Sequence, residues 1–246
     1  VKNPSTSFIG LLWQPADKIG VFSQDGTTGN YQFTNTATEN VPQTEFGGNM
    51  SGDPYYAYYP YSTENDGANV TALKGTLPAE QAFDPESGTL VGDYKYGTRV
   101  ADGSNKFTFT QLFTMLRITL DATETSLEGE RLNQIKMTVT DSEGNVRPIC
   151  GNFTFNAITG DWNAVSNTTS GSISMPWTTR PELTKGKTYL GFITVMPVVK
   201  TGDKLSIEVV TEGHKASFTA DCKLDFKSGY VYNIPLKLKE FAANDK

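Results

Sequence analysis

Short runs that alternate apolar and polar residues, closed off by turn dipeptides, constrain this chain more than any other feature. In 230-YVYNIPLKL-238 the side chains of Tyr230, Tyr232, Ile234, Leu236 and Leu238 fall on one face, and those of Asn233, Pro235 and Lys237 on the other. A period of two marks a half-buried β-strand, because successive side chains of an extended chain point to opposite sides. The same period runs through Ile135, Met137 and Val139 in 134-QIKMTVT-140, and through Leu205, Ile207 and Val209 in 205-LSIEVV-210. The dipeptides 25-DG-26, 66-DG-67, 102-DG-103 and 144-GN-145 punctuate the chain, and no segment carries three turns of helical periodicity. The chain is therefore expected to be all-β and built of antiparallel sheets.

Departures from the pattern are informative. Pro235 has no N–H to give to a ladder, so its strand is expected at a sheet edge, or to end its pairing there. Lys237 and Lys239 discourage adhesive edge pairing. In 189-YLGFITVMPV-198 both faces are apolar, which suits the middle of a sandwich. The run 106-KFTFTQLFTMLRITLDA-122 changes phase: Phe107 and Phe109 set one parity, and Leu112, Leu116, Ile118 and Leu120 the other. A single strand cannot do that, so a bulge or break is expected near Gln111.

At 246 residues the chain is long enough for one large β domain or two of about 120 residues. The polar, charged segment 121-DATETSLEGERL-132 lies between two β-rich halves. Taken as a boundary, it gives an N-terminal β-sandwich over residues 1–124 and a C-terminal one over residues 125–246.

The residues that carry chemistry are mostly missing. His214, the single histidine, sits in 212-EGHKA-216 with the look of an exposed hairpin turn and no triad context. Cys150 and Cys222 permit at most one disulfide and lack metal-ligand spacing; two buried free thiols are the simpler reading. No zinc or calcium motif and no phosphate-cradling loop is present. Acidic residues such as Asp25, Asp66, Asp102 and Glu143 stand in turns, where their ordinary role is turn formation. No catalytic, cofactor-binding or metal-binding residue is assigned, and the chain is not expected to be an enzyme. The net charge of −6 and the lack of a basic run make nucleic acid and anionic membrane poor partners. No window reaches the roughly 18 apolar residues of a membrane span. No signal peptide opens the chain, so any export signal is expected to have been removed upstream.

The stretch 54-PYYAYYPYS-62 holds five of the 11 tyrosines. Tyr55, Ala57, Tyr59 and Tyr61 share one parity, and Tyr56 and Tyr58 the other. Rings on both faces suit a strand lying between a core and a covering loop. The alternative is a sugar-stacking surface, for which Trp13, Tyr56, Tyr58, Trp162 and Trp177 are the candidates.

Several segments, in order, carry a family resemblance: 9-IGLLWQPADKIGVFS-23, 55-YYAYYPYS-62, 77-LPAEQ-81, 107-FTFTQLFTMLRITL-120, 190-LGFITVMPV-198 and 226-FKSGYVYNIPLKL-238. Together they resemble the fimbrillin family of the Bacteroidales, the subunits and anchors of surface pili. Gln111 stands where that family often carries histidine. The resemblance implies two tandem transthyretin-like antiparallel β-sandwich domains, and lipoprotein export to the outer membrane. It also implies a place in or on a fimbria at the cell surface, with other fimbrial subunits as partners. Polymerising members lose their first strand to a cut after an early arginine, and a neighbour's strand then fills the groove. The first arginine here is Arg99, so the cut lies upstream of Val1 or the chain is used uncut. The candidate exchange segments are 8-FIGLL-12, through Phe8, Ile9, Leu11 and Leu12, and the strand of Tyr230, Tyr232, Ile234, Leu236 and Leu238. The purified chain is expected to be monomeric. The alternative function is a surface glycan-binding lipoprotein, whose partners are host or bacterial glycans or proteins. Stalk, tip and anchor roles stay open.

Overall fold

The computed structural model describes residues 11–27, 29–239 and 241–243. There the alternating runs form 17 strands and no α-helix, with one 3-10 turn at Thr63–Asn65. The largest sheet runs in the order β3 (Phe46–Gly47), β2 (Tyr31–Asn35), β1 (Lys18–Phe22), β4 (Tyr56–Tyr59), β6 (Lys95–Arg99) and β7 (Phe107–Gln111). Against it lies a sheet of β11 (Trp162–Ala164), β10 (Gly151–Phe155) and β5 (Leu73–Leu77). The second pair sets β12 (Ser172–Pro176), β9 (Leu132–Thr140), β14 (Lys204–Thr211), β15 (His214–Asp221) and β17 (Ala242–Ala243) against β13 (Thr188–Val195), β8 (Thr114–Asp121) and β16 (Val231–Lys237). All strand pairs are antiparallel except β8 with β16. A parallel neighbour requires a crossover, and here the chain passes through β9 to β15 before β16 returns to β8.

Aromatic rings fill the first interior. Tyr58 lies 6.0 Å from Phe155, and Tyr94 lies 4.9 Å from Phe153, between ring centroids. In the second pair, a Cβ on Gly191 would stand 2.9 Å from Met175 Cε, so the missing side chain of β13 lets the two sheets approach. A contiguous cluster of buried side chains joins both interiors, running from Phe22 and Tyr58 through Phe113 to Ile135 and Leu238.

The break expected at Gln111 is present. β7 ends there, Leu112 and Phe113 are buried, and β8 starts at Thr114 in a different sheet. β16 is an edge strand, as Pro235 requires. One expectation needs correction. Strand pairing does not divide at residues 124/125: β5 pairs with β10, and β8 pairs with β13 and β16. The segment 121–132 is polar because it connects β8 to β9 along the surface of one sheet pair, and loop polarity reports exposure rather than a domain limit. β13 is an edge strand of its sheet with both faces covered, the inner one by the facing sheet and the outer one where Phe83 packs on Phe192, with ring centroids 5.4 Å apart.

Candidate functional site

An all-β protein that assembles must expose strand edges at some places and close them at others, because an open row of N–H and C=O groups recruits further strands. Three edges here are closed by side chains or by a covering segment. On β5, the Asn65 amide bonds both backbone groups of Lys74: Oδ1 accepts from its N–H at 2.7 Å, and Nδ2 donates to its C=O at 3.2 Å. Two residues on, the Tyr94 hydroxyl donates to Thr76 O at 2.9 Å and accepts from Thr76 N at 3.1 Å. Burial raises the Tyr94 phenol above its usual pKa and keeps it a donor. The segment 79–83 runs parallel to β12, where Gln81 N donates to Ser174 O at 2.8 Å and Phe83 N to Pro176 O at 2.9 Å. From this segment the Gln81 side chain crosses to β13, donating to Thr194 O and accepting from Thr194 N, both at 2.8 Å. Trp177 Nε1 donates to Leu190 O at 3.1 Å on the same edge.

β16 is closed in a different way. Met115 N donates to Tyr230 O and Leu238 N to Asp121 O, each at 2.9 Å. In a parallel ladder these end bonds assign the even-numbered residues of β16 to β8, and the odd-numbered ones to the open side. Pro235 thus presents its missing N–H to the open side at no cost to the ladder. Of the candidate exchange residues here, Tyr232, Leu236 and Leu238 are buried, and Tyr230 and Ile234 are half-buried. Tyr232 stacks on Phe226 at 4.6 Å. The strand therefore holds its own core, and its removal would open an apolar groove.

At the other end of the chain, Phe8 and Ile9 lie outside the described residues. Leu11 is half-buried and Leu12 is exposed. Trp13 covers the outer face of the large sheet. Its ring meets Phe46, Tyr59 and Phe109 edge-on at 5.0, 5.3 and 5.1 Å. The Lys95 ammonium lies 5.0 Å from the Trp13 ring centroid and 4.7 Å from that of Tyr59, and it is paired with Asp93. The Tyr59 hydroxyl donates to Asp17 Oδ1 at 3.0 Å. Burial, with the Asp17 and Asp93 carboxylates beside it, pushes that phenol far above its usual range. The tyrosine strand does lie between two cores: Tyr58 faces the main one, and Tyr59 the small one beneath Trp13.

The candidates for a sugar platform do not form one surface. Tyr58 and Trp177 are 1% and 2% exposed. Trp162 is half-buried with its ring 5.6 Å from Phe113, and Tyr56 is half-buried against the main core. His214 is not a free turn residue, since its Nδ1 lies 2.6 Å from Glu130 Oε1 and it begins β15. Cys150 and Cys222 are both free and buried, and burial pushes both thiols up. Among the described residues, no cluster of three or more His, Cys, Asp or Glu side chains is placed to hold a metal. Sequence reasoning missed Asn65, Gln81 and Tyr94 as edge closures. The quoted segment 77-LPAEQ-81 contained one of them, but a polar residue after a strand looks like any loop residue.

A model of the fimbrillin-like family matches residues 5–245 of the chain. No curated protein is a significant sequence match. Among solved structures, a candidate cell adhesion protein from Bacteroides uniformis is similar, with a TM-score of 0.56 at 17% identity over 95% of this chain and 91% of that one. Another from Bacteroides ovatus gives 0.54 at 18% identity, over 97% and 89%. A third, from Bacteroides fragilis, gives 0.51 at 9% identity, over 100% and 93%. At these identities the likeness is one of fold.

Proposed function

The chain belongs to the fimbrillin-like family, and from that premise we propose that it serves as a non-enzymatic structural or adhesive component of fimbriae at the bacterial surface. The observation that carries this reading is the family match over nearly the whole chain. The test is location. Surface fimbriae sheared from producing cells should contain the chain, and its confinement to the soluble periplasmic fraction would overturn the reading.

The finer reading is that the subunit reaches the surface as an exported outer-membrane lipoprotein and exchanges strands with neighbouring subunits through β16. Three features support the exchange. Among the described residues β16 lies at a sheet edge, pairs along its length with β8, and sends alternate side chains into the core. A strand of that kind can be supplied in trans, because its ladder and its pockets are both on one side. The purified chain, with its groove filled by its own strand, is proposed to be a monomer. A chain truncated after Gly229 should bind a synthetic peptide of residues 230–238 and regain thermal stability. A truncated chain that folds by circular dichroism, ignores the peptide and still enters fimbriae would refute exchange through β16.

A further inference from the structure

A cavity of about 240 Å³ opens where the covering segment 11–17 meets the loop that leads from residue 84 into β6. Its wall is apolar at Leu11, Leu12 and Leu90 and polar elsewhere. Gln14 Nε2 donates to Thr89 Oγ1 at 3.0 Å and ties the segment to the loop. Two carboxylates stand in the polar part. Asp17 Oδ1 accepts from the Tyr59 hydroxyl at 3.0 Å, and its Oδ2 from Gln14 N at 2.8 Å. Asp93 Oδ1 accepts from Gln111 Nε2 at 2.7 Å, and its Oδ2 is paired with Lys95. A carboxylate has about four lone-pair sites, so each keeps acceptor capacity. Donors stand beside them: Gln14 Nε2 has a second N–H, and the exposed Asn40 amide makes no hydrogen bond among the described residues. A further polar atom is unserved. Gln111 is 6% exposed, and the Oε1 of the amide that holds Asp93 has no partner among the described residues. Buried atoms of that kind are few in native structures. The turn that presents Asp17 is also strained, since Ala16 sits at φ 64°, and such strain collects at ligand clamps.

We propose that this cavity is a binding site for one neutral sugar ring. Its volume is below the roughly 300–1,000 Å³ of a drug-sized site, which suits a single ring. A sugar hydroxyl both donates and accepts, as the mixed wall requires, and the three leucines take the C–H face of the ring. An amine would use the acceptors and leave the Asn40 and Gln14 donors idle. Lys95 offsets only one of the two carboxylates, so an acidic sugar is repelled. A metal ion is poorly served, because among the described residues the two carboxylates find no third His, Cys, Asp or Glu ligand. The site differs from a stacking platform. Trp13 and Tyr59 support it by packing around Lys95. The inference goes beyond the fimbrial reading, which needs no ligand, and gives the adhesive role a chemical target.

The test uses the full chain and NMR amide shifts. The probes are glucose, galactose, mannose and N-acetylglucosamine, with glucuronate as the charged control. At least one neutral sugar should shift the Gln14, Thr89 and Leu90 amides saturably, and glucuronate should bind at least about tenfold more weakly. Thr89→Val keeps the side-chain shape and removes the hydroxyl, and Asn40→Ala removes the free amide. Both positions are exposed, so the fold should survive, and each change should weaken the sugar about threefold to tenfold. Thr219→Val, on β15 in the other sheet pair, should leave affinity unchanged. Silence from all four neutral sugars would overturn the inference. So would equal binding of glucuronate, saturable shifts only at other amides, or unchanged affinity in a folded Thr89→Val, Asn40→Ala double variant. None of these results alters the shearing assay, so this inference can fail while the fimbrial reading stands.

Discussion

The side-chain amide of Gln81 exchanges two hydrogen bonds of 2.8 Å with the backbone of Thr194, acting as one residue of a strand that is not there. Gln81 is 2% exposed, so water cannot replace those bonds. Gln81→Leu should therefore strand a buried N–H and a buried C=O on β13, at a cost of about 2–4 kcal/mol. Gln81→Glu keeps the acceptor and loses the donor, and should fall between the two. Chemical denaturation of the three proteins checks the order. A leucine variant as stable as the parent would show that the clasp is dispensable.

Tyr58 predicts the alkaline limit of the fold. Burial pushes its phenol up to about 12, against hydrogen bonds from Ser62 and Asn65 that favour the ionised form. Its pKa is raised in the folded state, so the unfolded chain loses this proton first, near the ordinary value of 10. The stabilisation is complete below that pH and is lost as pH rises from about 10 through 12. Spectrophotometric titration at the tyrosinate band should show a late phase that coincides with unfolding and that loses one tyrosine's share in Tyr58→Phe, the remainder coming from Tyr59 and Tyr94, whose phenols are raised as well. Ionisation of every tyrosine near pH 10 with the fold intact would contradict this.

Glu130 predicts an acid-sensitive hairpin. Burial works against its charge, but hydrogen bonds from Thr211, His214 and Gly213 outweigh it, and its carboxyl is held below the usual range. This contribution is present above the ordinary carboxylate pKa and fades as pH falls through the lowered one. Amide protection at the tip joining β14 and β15, measured against the intrinsic exchange rate at each pH, should fall on acidification before that of the rest of the sheet. In Glu130→Gln that tip should exchange faster already at neutral pH.

Pro235 predicts solubility rather than stability. It is exposed, with its ring nitrogen on the open side of β16, so Pro235→Thr adds an outward donor and a better strand former. Stability should change by less than about 0.5 kcal/mol. Light scattering should show self-association that the parent lacks, and a monodisperse variant would count against edge blocking by Pro235.

The covering segment predicts local loosening. Trp13→Ala removes the ring that meets Phe46, Tyr59 and Phe109. Limited proteolysis should then cut near residues 11–17 first, while the sheet pair of β8 and β9 keeps its melting behaviour. Simultaneous loss of both would mean that the two cores unfold as one.

The sequence by itself determined that the chain is all-β, that β4, β7, β8, β9, β13, β14 and β16 are strands, that Pro235 marks an edge or an end of pairing, and that a bulge or break falls near Gln111. Those are local facts, set by a two-residue period and by the chemistry of proline, and the ordered motifs carried the family resemblance on the same local basis. Only the tertiary structure decided which edges meet. Gln81 and Thr194 stand 113 positions apart, and β5 finds its partner in β10 across the segment that looked like a boundary. Tyr58 and Trp177 have the composition of a binding surface and lie in the core, because exposure depends on which sheet comes to cover a side chain. A backbone group on a strand edge is also the same in every residue type. Whether it is closed by Asn65 or crossed by Pro235 depends on where distant parts of the chain arrive, and alternation along one strand does not encode that.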